Sequence, residues 1–222
     1  MDLLQWAFIV GVSLGILSLI FTLYFVFSHT SQRKKIKQTA TTRTKNKRKK
    51  KKMLNQLSVM KKNSQKTFRC VLLFSLLSVA FSGMSYYVTY YQATNLSAED
   101  TQNITDGFYY LRDLKGELEE IQDGSANEES SKQTLAFIVT SLAGYSVKKA
   151  NTLNTTEGQS VLNRYYNAMS ELGINVSRRG PQLANTPEIL KESLDDIDKV
   201  MGYQTKAFTF FKVDESVLQA EK

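Results

Sequence analysis

Two long apolar runs stand out in the first part of the chain. The first covers Leu3–Phe27, 25 residues without a formal charge, and the second covers Cys70–Val88. A helix rises about 1.5 Å per residue, so each run is long enough to cross a hydrocarbon core of about 30 Å. Lipid offers no hydrogen-bond partner to backbone amides, which requires such a segment to be helical. The pattern predicts membrane helices within residues 1–28 and 70–91, because two such runs flanking a strongly basic stretch are not typical of a soluble core.

The first run differs from a removable signal peptide. Its only preceding residues are Met-Asp instead of a basic segment, and bulky Tyr24, Phe25 and Phe27 occupy its end. A signal peptide has a shorter apolar stretch that ends in small residues. We therefore expect this run to stay in the membrane.

A different periodicity begins near Asn95, where apolar residues recur every three or four positions, as on one face of an amphipathic helix. The spacing and the turn residues predict four helices: one from Asn95 or Ser97 to Asp123-Gly124, one over Lys132–Lys149, one over Thr156–Leu172 closed by Gly173, and one from Thr186-Pro187 to Gly202. Residues 174–185 are predicted to form a loop. The tail over Ala207–Val213 fits either a short strand or a final helix reaching Ala220, and helix is favoured.

These patterns predict an all-α membrane protein, with residues 92–222 forming an antiparallel helical bundle. Long first and second helices of this region are also compatible with a coiled-coil stalk that dimerises.

Charge is divided sharply along the sequence. Residues 3–98 contain 16 Lys and Arg and no acid, whereas residues 99–222 contain 13 bases and 20 acids. All 16 bases of the first part lie in the short segment 29–69, which the positive-inside rule places in the cytoplasm. Trp6 lies near the start of the first run, and the tyrosines near Tyr90 lie at the end of the second. Both are at the ends of the spans away from the basic segment, on one side of the membrane, as in an aromatic belt. We expect a multi-pass protein of the cell membrane with both termini on the extracytoplasmic side.

The basic segment predicts a partner of opposite charge. Its first part, Arg33–Lys52, is expected to be disordered in isolation, and Met53–Lys62 is expected to form a short amphipathic helix on the inner leaflet. Anionic membrane lipids are the favoured partner. The residues predicted to bind them are Lys34, Lys35, Lys37, Arg43, Lys45, Lys47, Arg48, Lys49, Lys50, Lys51, Lys52, Lys61 and Lys62. Docking of an acidic cytoplasmic protein and sequence-independent binding of nucleic acid are the alternatives, the latter disfavoured by the lack of interleaved aromatic residues.

Small residues predict where the membrane helices pack. Gly11 and Gly15 form a G-x-x-x-G pair, and Ser78 and Ser82 belong to a small-residue stripe on the second helix. Such residues let backbones approach closely in lipid, either within one chain or in a homo-oligomer.

Catalytic chemistry is not indicated. His29 is the only histidine and Cys70 the only cysteine, and both lie at a membrane edge. No phosphate-binding glycine motif is present, and the acids near Glu119 and Asp196 have the spacing of solvated helix faces. The sequence therefore predicts no enzyme, no cofactor and no metal site. Four N-x-S/T sequons, at Asn95, Asn103, Asn154 and Asn175, are interpreted as chance occurrences.

Three functions fit these features. The favoured one is a non-enzymatic, membrane-anchored interaction or assembly protein, an accessory of a bacterial cell-envelope, secretion or conjugation complex with a protein partner in the membrane or outside. The alternatives are a sensor or receptor subunit whose outer bundle binds a ligand, and a small channel or transport accessory. Charge-free membrane helices disfavour the last.

Overall fold

All regular elements are helical in the residues that the computed structural model describes, which are 3–42, 47–125 and 128–220. The chain divides into two compact units, Met1–Tyr90 and Tyr91–Lys222. Two long helices open the chain, α1 (Leu3–Thr41) and α2 (Lys47–Thr94). They are followed by α3 (Ala98–Gln122), α4 (Glu128–Ala143), a 3-10 turn (Gly144–Val147), α5 (Thr156–Leu183), α6 (Pro187–Phe211) and α7 (Glu215–Ala220).

Helices α1 and α2 are long and apolar enough to cross a membrane. Each continues well beyond its apolar run: α1 through Ser28–Thr41, and α2 through Lys47–Arg69 before it reaches Cys70. The basic segment is therefore helical on both sides, and Met53–Lys62 belongs to α2 instead of forming a separate short helix. Arg43 and Lys45 lie outside the described residues. In the full chain, residues 33–41 and 47–52 are helical, and the disorder expected of Arg33–Lys52 in isolation stays a prediction.

The second unit packs four helices, each antiparallel to its neighbours along the chain. Residues near the start of α3 contact the end of the α4 region, as in the hydrogen bond from the Tyr145 hydroxyl to the Asn103 carbonyl oxygen (2.6 Å). Gln204 on α6 donates to the hydroxyl of Tyr165 on α5 (3.0 Å), and Lys115 on α3 contacts Asp198 on α6 (2.9 Å). The core between the helices contains the fully buried Leu111, Leu114, Leu118, Leu142, Leu162, Tyr165, Tyr166, Met169 and Ile197.

Local capping signals place the starts of α3 and α6 correctly, whereas α4 begins at Glu128 instead of the predicted Lys132 and ends at Ala143 instead of Lys149. The Ser97 hydroxyl accepts the Asp100 amide (3.0 Å) at the start of α3, and Gly124 follows its end with φ of 69°. Pro187 occupies the first turn of α6, as the Thr-Pro-Glu pattern predicts.

Helix α5 extends further than predicted. It continues through Gly173, through the expected loop and through Pro181, and ends at Leu183. Gly173 is a site of close helix approach instead of a stop: a Cβ atom there would lie 2.5 Å from the Ala143 backbone nitrogen on α4. The buried stripe continues beyond it through Val176 and Leu183, which keeps the helix covered.

Helix α6 also passes its predicted stop. Gly202 is exposed within the helix, and the stripe continues with buried Gln204, Ala207 and Phe208. The helix ends at Phe211, where Lys212 adopts φ of 56° and its amide bonds to the Phe208 carbonyl oxygen. The tail is thus helical up to this left-handed residue, and α7 is separate from α6.

Two glycine substitutions test the packing of α5. Gly173→Ala forces a Cβ atom against the α4 backbone, and we expect it to cost about 1–3 kcal/mol of unfolding free energy. Gly116→Ala is the matched control: a Cβ there meets nothing within 4 Å, so helix propensity should stabilise the protein by about 0.5–1 kcal/mol. Thermal unfolding of the full chain in detergent, followed by circular dichroism, measures both. Equal effects of the two changes would contradict this packing.

Candidate functional site: the basic helical hairpin

The contact between α1 and α2 follows a seam with a repeat of about 3.5 residues. Most buried and half-buried positions recur at steps of three and four along both helices. On α1 they are Leu4, Ala7, Gly11, Gly15, Ser18, Thr22, Phe25, His29, Gln32, Ile36 and Thr39. On α2 they are Met53, Leu57, Met60, Ser64, Thr67, Val71, Phe74, Ser78, Phe81, Ser85 and Val88.

Small residues bring the apolar halves of the two helices together. A Cβ on Gly11 would lie 2.6 Å from the Ser85 Oγ, and one on Gly15 would lie 3.7 Å from the Phe81 Cβ and 3.8 Å from the Ser82 Oγ. Three of the predicted packing residues, Gly11, Gly15 and Ser82, therefore lie where α1 meets α2, and Ser78 is half-buried on the same seam.

An aromatic layer follows the glycines along the seam. The Phe74 ring stacks on Phe25 with centroids 5.5 Å apart and contacts Phe21 at 5.2 Å. These rings fill the space beyond the small residues, so packing continues to the end of the apolar runs.

The seam becomes polar where the apolar runs end. His29 Nδ1 lies 3.1 Å from the Ser64 carbonyl oxygen and 3.2 Å from its Oγ. The Gln32 side-chain nitrogen donates to Thr67 Oγ1 (3.2 Å). These bonds join the helices at the level where each leaves its apolar run. His29 thus has a structural role in the seam.

The predicted lipid-binding bases all lie on the outer surface of this hairpin, where the structure describes them. Every one of Lys34, Lys35, Lys37, Lys47, Arg48, Lys49, Lys50, Lys51, Lys52, Lys61 and Lys62 is exposed. The apolar stripe of Met53, Leu57 and Met60 is half-buried on the seam that also carries Ser64. These three residues therefore pack toward α1, whereas Leu54, on the same predicted apolar face, is 60% exposed.

The bases form two groups separated by a neutral stretch. The proximal group, next to the apolar runs, contains Arg33, Lys34, Lys35 and Lys37 on α1 and Lys61, Lys62, Lys66 and Arg69 on α2. The distal group contains the bases Lys47–Lys52 of the described ranges, and its four consecutive lysines, Lys49–Lys52, are named the distal cluster. Between them, the eight residues Met53–Met60 contain no charge.

The structure reveals residues that sequence reasoning missed. Ser85, His29, Gln32, Ser64 and Thr67 join the helices, although none belongs to a G-x-x-x-G motif. The alternation of three- and four-residue steps beyond the apolar runs was the available signal. It was obscured because polar seam residues such as Gln32 do not register in a hydrophobic pattern.

The second unit contains a buried polar cluster around Asp100. This carboxylate is 1% exposed and accepts hydrogen bonds from the Tyr166 hydroxyl (2.9 Å), the Ser97 hydroxyl (2.7 Å) and the Asn151 amide (3.2 Å). The bonds satisfy a charge that would otherwise be costly to bury. The cluster joins the start of α3 to α5 and to the loop before it, which is a structural role.

Burial also affects the tyrosines beside this cluster. Loss of solvent raises the pKa of Tyr145, Tyr165 and Tyr166 well above the ordinary value for a phenol. For Tyr166, the nearby Asp100 carboxylate raises the pKa further. All three phenols are therefore neutral in the folded unit over the physiological range.

Surface features of the second unit bear on the remaining predictions. Asn103 and Asn154 are each 4% exposed, so two of the four sequons are inaccessible to a glycan in the folded unit. Asp196 pairs with Lys199 (2.9 Å) and Arg179 (3.3 Å), which places it in a surface ion-pair group. A shallow groove between α5 and α6 includes Asp196, Lys199 and Tyr203. No group of three potential metal ligands occurs in the described ranges.

Comparison with protein-family models, with curated proteins and with solved structures gives no match for this chain.

A disulfide tests the register of α1 against α2. In a Cys70→Ser background, the pair Gly15→Cys and Phe81→Cys places Cβ atoms about 3.7 Å apart, close to the 3.8 Å typical of disulfides. We expect an intramolecular bond to form on mild oxidation in membranes, seen as a mobility change that a reductant reverses. The pair Gly15→Cys and Gly83→Cys is the control, because a Cβ on Gly83 meets nothing within 4 Å. Equal cross-linking of both pairs would contradict the register.

Alkaline pH tests the buried tyrosines. Above about pH 10 the unfolded phenols release protons that the folded ones retain, so stability is complete below that pH and falls as pH rises. Three such groups give a loss of up to about 4 kcal/mol per pH unit. Thermal unfolding of the full chain in detergent at increasing pH measures this slope, and Tyr145→Phe should reduce it by about one third. A stability that does not change above pH 10 would contradict the burial of these phenols.

Proposed function

We propose that this chain is a non-enzymatic, membrane-anchored interaction or assembly protein, an accessory of a bacterial cell-envelope, secretion or conjugation complex. The α1–α2 hairpin crosses the cell membrane twice, the basic segment 29–69 lies in the cytoplasm, and residues 92–222 bind a protein partner on the extracytoplasmic side.

The observation that carries this proposal is the apolar outer surface of the hairpin and its abrupt end. Leu23 and Phe27 on α1 are 61% and 76% exposed, and Leu76 and Val79 on α2 are 71% and 70% exposed. Large apolar side chains exposed at this density would aggregate in water but are matched to lipid. On α1 the surface changes to polar residues after Phe27 and to bases from Arg33, and on α2 Arg69 directly precedes Cys70, as at a membrane boundary.

The proximal group supplies the lipid contact in this proposal. Its α2 members begin at Arg69, directly next to the apolar run, and extend to Lys61 about 12 Å further along the helix. Long lysine and arginine side chains at this level reach the headgroups of an anionic leaflet. Each contributes about 1 kcal/mol near such a surface. The group would hold the hairpin at a fixed depth.

The second unit supplies the partner surface. It has a closed hydrophobic core and a net charge of −7 over residues 99–222, and it offers a groove of about 420 Å³ between α5 and α6. The groove combines the apolar Leu172 and Val200 with Tyr203, whose ring lies 5.4 Å from the Lys206 Nζ atom. Tyrosine is enriched at protein-binding surfaces, and the charged residues of the groove correspond to the polar rim of such a surface.

One contact favours a second function, the sensor or receptor subunit. The loop before α5 hydrogen-bonds to the last turn of α2: the Thr155 amide donates to the Ala93 carbonyl oxygen (3.1 Å), and the Asn154 amide group is within reach of the Gln92 and Asn95 carbonyl oxygens. The Asn151 amide in the same loop bonds to Asp100. A ligand that rearranged this loop would act on the end of a membrane helix.

Cysteine labelling of intact cells tests topology and partner binding together. In a Cys70→Ser background, we expect Tyr203→Cys to react with a membrane-impermeant maleimide cross-linker and to give one dominant adduct with another protein. The matched control, Lys62→Cys, should react only after the membrane is permeabilised.

Three outcomes separate the hypotheses. Reaction of Lys62→Cys in intact cells would overturn the topology. Reaction of Tyr203→Cys without any protein adduct would overturn the assembly function, and binding of a small molecule by that uncrosslinked chain would favour the sensor instead.

A further inference from the structure

The distal cluster lies far from the proposed membrane boundary. From Arg69 to Lys52 there are 17 residues of continuous helix, a rise of about 26 Å. The headgroup layer takes up about 5–7 Å of this distance. The remaining distance of about 19 Å exceeds two Debye lengths of about 8 Å at physiological ionic strength. An average helix tilt of about 20° shortens it by only a few per cent. Lipids of the same membrane therefore attract Lys49–Lys52 very weakly.

The hairpin has no point at which it could fold back onto the leaflet. Sharp helix kinks almost always need proline, glycine or an inserted group. Neither Gly nor Pro occurs in α1 after Gly15, or in α2 before Gly83. The bonds from His29 to Ser64 and from Gln32 to Thr67 hold the helices together at the membrane exit. The seam continues past them through Ile36 and Met53, so the two helices form a paired stalk without a residue that favours a sharp kink.

Four consecutive lysines place positive charge on several sides of α2 at the end of the stalk. Successive helix positions are about 100° apart, so Lys49–Lys52 point to different sides of the helix. All four are exposed, and residues 3–98 contain no Asp or Glu that could neutralise them. Like charges this close repel one another, which costs stability unless an anion binds.

A groove beside these lysines is lined by hydrogen-bond donors. It lies between the helices and includes Gln38, Thr39 and Thr42 on α1 with Lys49, Lys52, Met53 and Gln56 on α2. Ammonium, amide and hydroxyl groups all donate to carboxylate oxygens, and Met53 offers an apolar contact for the methylene groups of a glutamate. The groove therefore matches acidic side chains in hydrogen bonding and in apolar contact, and the lysines match their charge.

The shape of the stalk end disfavours nucleic acid. Two packed helices are about 20 Å across, wider than the 12 Å major groove of B-DNA, which admits a single helix. Single strands are bound through aromatic stacking, and residues 28–67 contain no Phe, Tyr or Trp. An extended acidic polypeptide needs neither a single helix that enters a groove nor aromatic rings for stacking, and it can contact several lysines of the cluster.

We propose that Lys49–Lys52 and the adjoining groove form a docking site for an acidic polypeptide segment, distinct from the lipid contact of the proximal group. This inference rests on the proposed membrane insertion of the hairpin. It assigns the two groups of bases to two partners: the proximal group holds the leaflet, and the distal cluster, displaced into the cytoplasm by the stalk, recruits an acidic segment of a cytoplasmic protein.

The test uses the full chain in nanodiscs, which expose both membrane faces and so do not depend on orientation. A fluorescent poly-glutamate peptide is titrated by anisotropy at about 0.15 M salt, with neutral lipid and with an anionic lipid fraction. The distal variant is Lys49→Gln, Lys50→Gln, Lys51→Gln and Lys52→Gln. The proximal variant, Lys61→Gln, Lys62→Gln, Lys66→Gln and Arg69→Gln, removes the same charge. Circular dichroism checks that both remain helical.

We expect the distal variant to weaken peptide binding about tenfold or more, and the proximal variant to weaken it less than about threefold. Binding by the unchanged protein should persist in anionic nanodiscs, because lipid does not compete for the distal cluster. Equal losses in the two variants, abolition of binding by anionic lipid, or tighter binding of duplex DNA of equal net charge would each overturn the inference. A chain that alkaline carbonate extracts from membranes would instead overturn the proposed membrane insertion.

Discussion

Continuous coverage of one face of each helix is the constraint on which the structure depends. In the second unit, α5 and α6 persist as long as a buried or half-buried side chain recurs every three or four residues. In the hairpin, the same rule extends α1 and α2 beyond their apolar runs. Helical hydrogen bonds alone give marginal stability in water, and packing against a neighbour supplies most of the rest. Where the covered stripe continues, the helix continues through local stop signals such as Gly173 and Gly202.

Glycine shows how packing reverses a local signal. At Gly124 and at Lys212, both with positive φ, the chain does end a helix. Gly173 has the same intrinsic tendency to end a helix, yet α4 lies so close that its backbone nitrogen at Ala143 would be 2.5 Å from a Cβ atom. The absence of a side chain is what permits that contact. Glycine can end a helix or permit close helix packing, and its immediate neighbours in the sequence do not show which of the two it does.

In the hairpin, the inner face along the seam and the outer face change character at the same level. Its inner face changes from glycine and phenylalanine to histidine, glutamine and serine at the level where its outer face changes from apolar to basic. The hydrogen bond between Gln32 and Thr67 and the contacts of His29 with Ser64 join the helices in the polar part, where apolar packing alone would be weaker. Through this pairing the described basic residues form part of a helical stalk. In the proposed arrangement, the distance along that stalk separates a lipid contact from a protein contact.

Much of this architecture was determined by the sequence itself. The two apolar runs, the helical periodicity after Asn95, the cap at Ser97 and the proline at the start of α6 depend on neighbouring residues along the chain, and the structure agrees with the helices that they predict. The segregation of bases from acids is also visible without coordinates. What only the tertiary structure decided was where helices end, whether 29–69 is a loop or a stalk, and which side the Met53–Met60 stripe faces. Those outcomes depend on a partner helix distant in sequence, and the free energy of burying a stripe against it exceeds the local preferences for turn or coil.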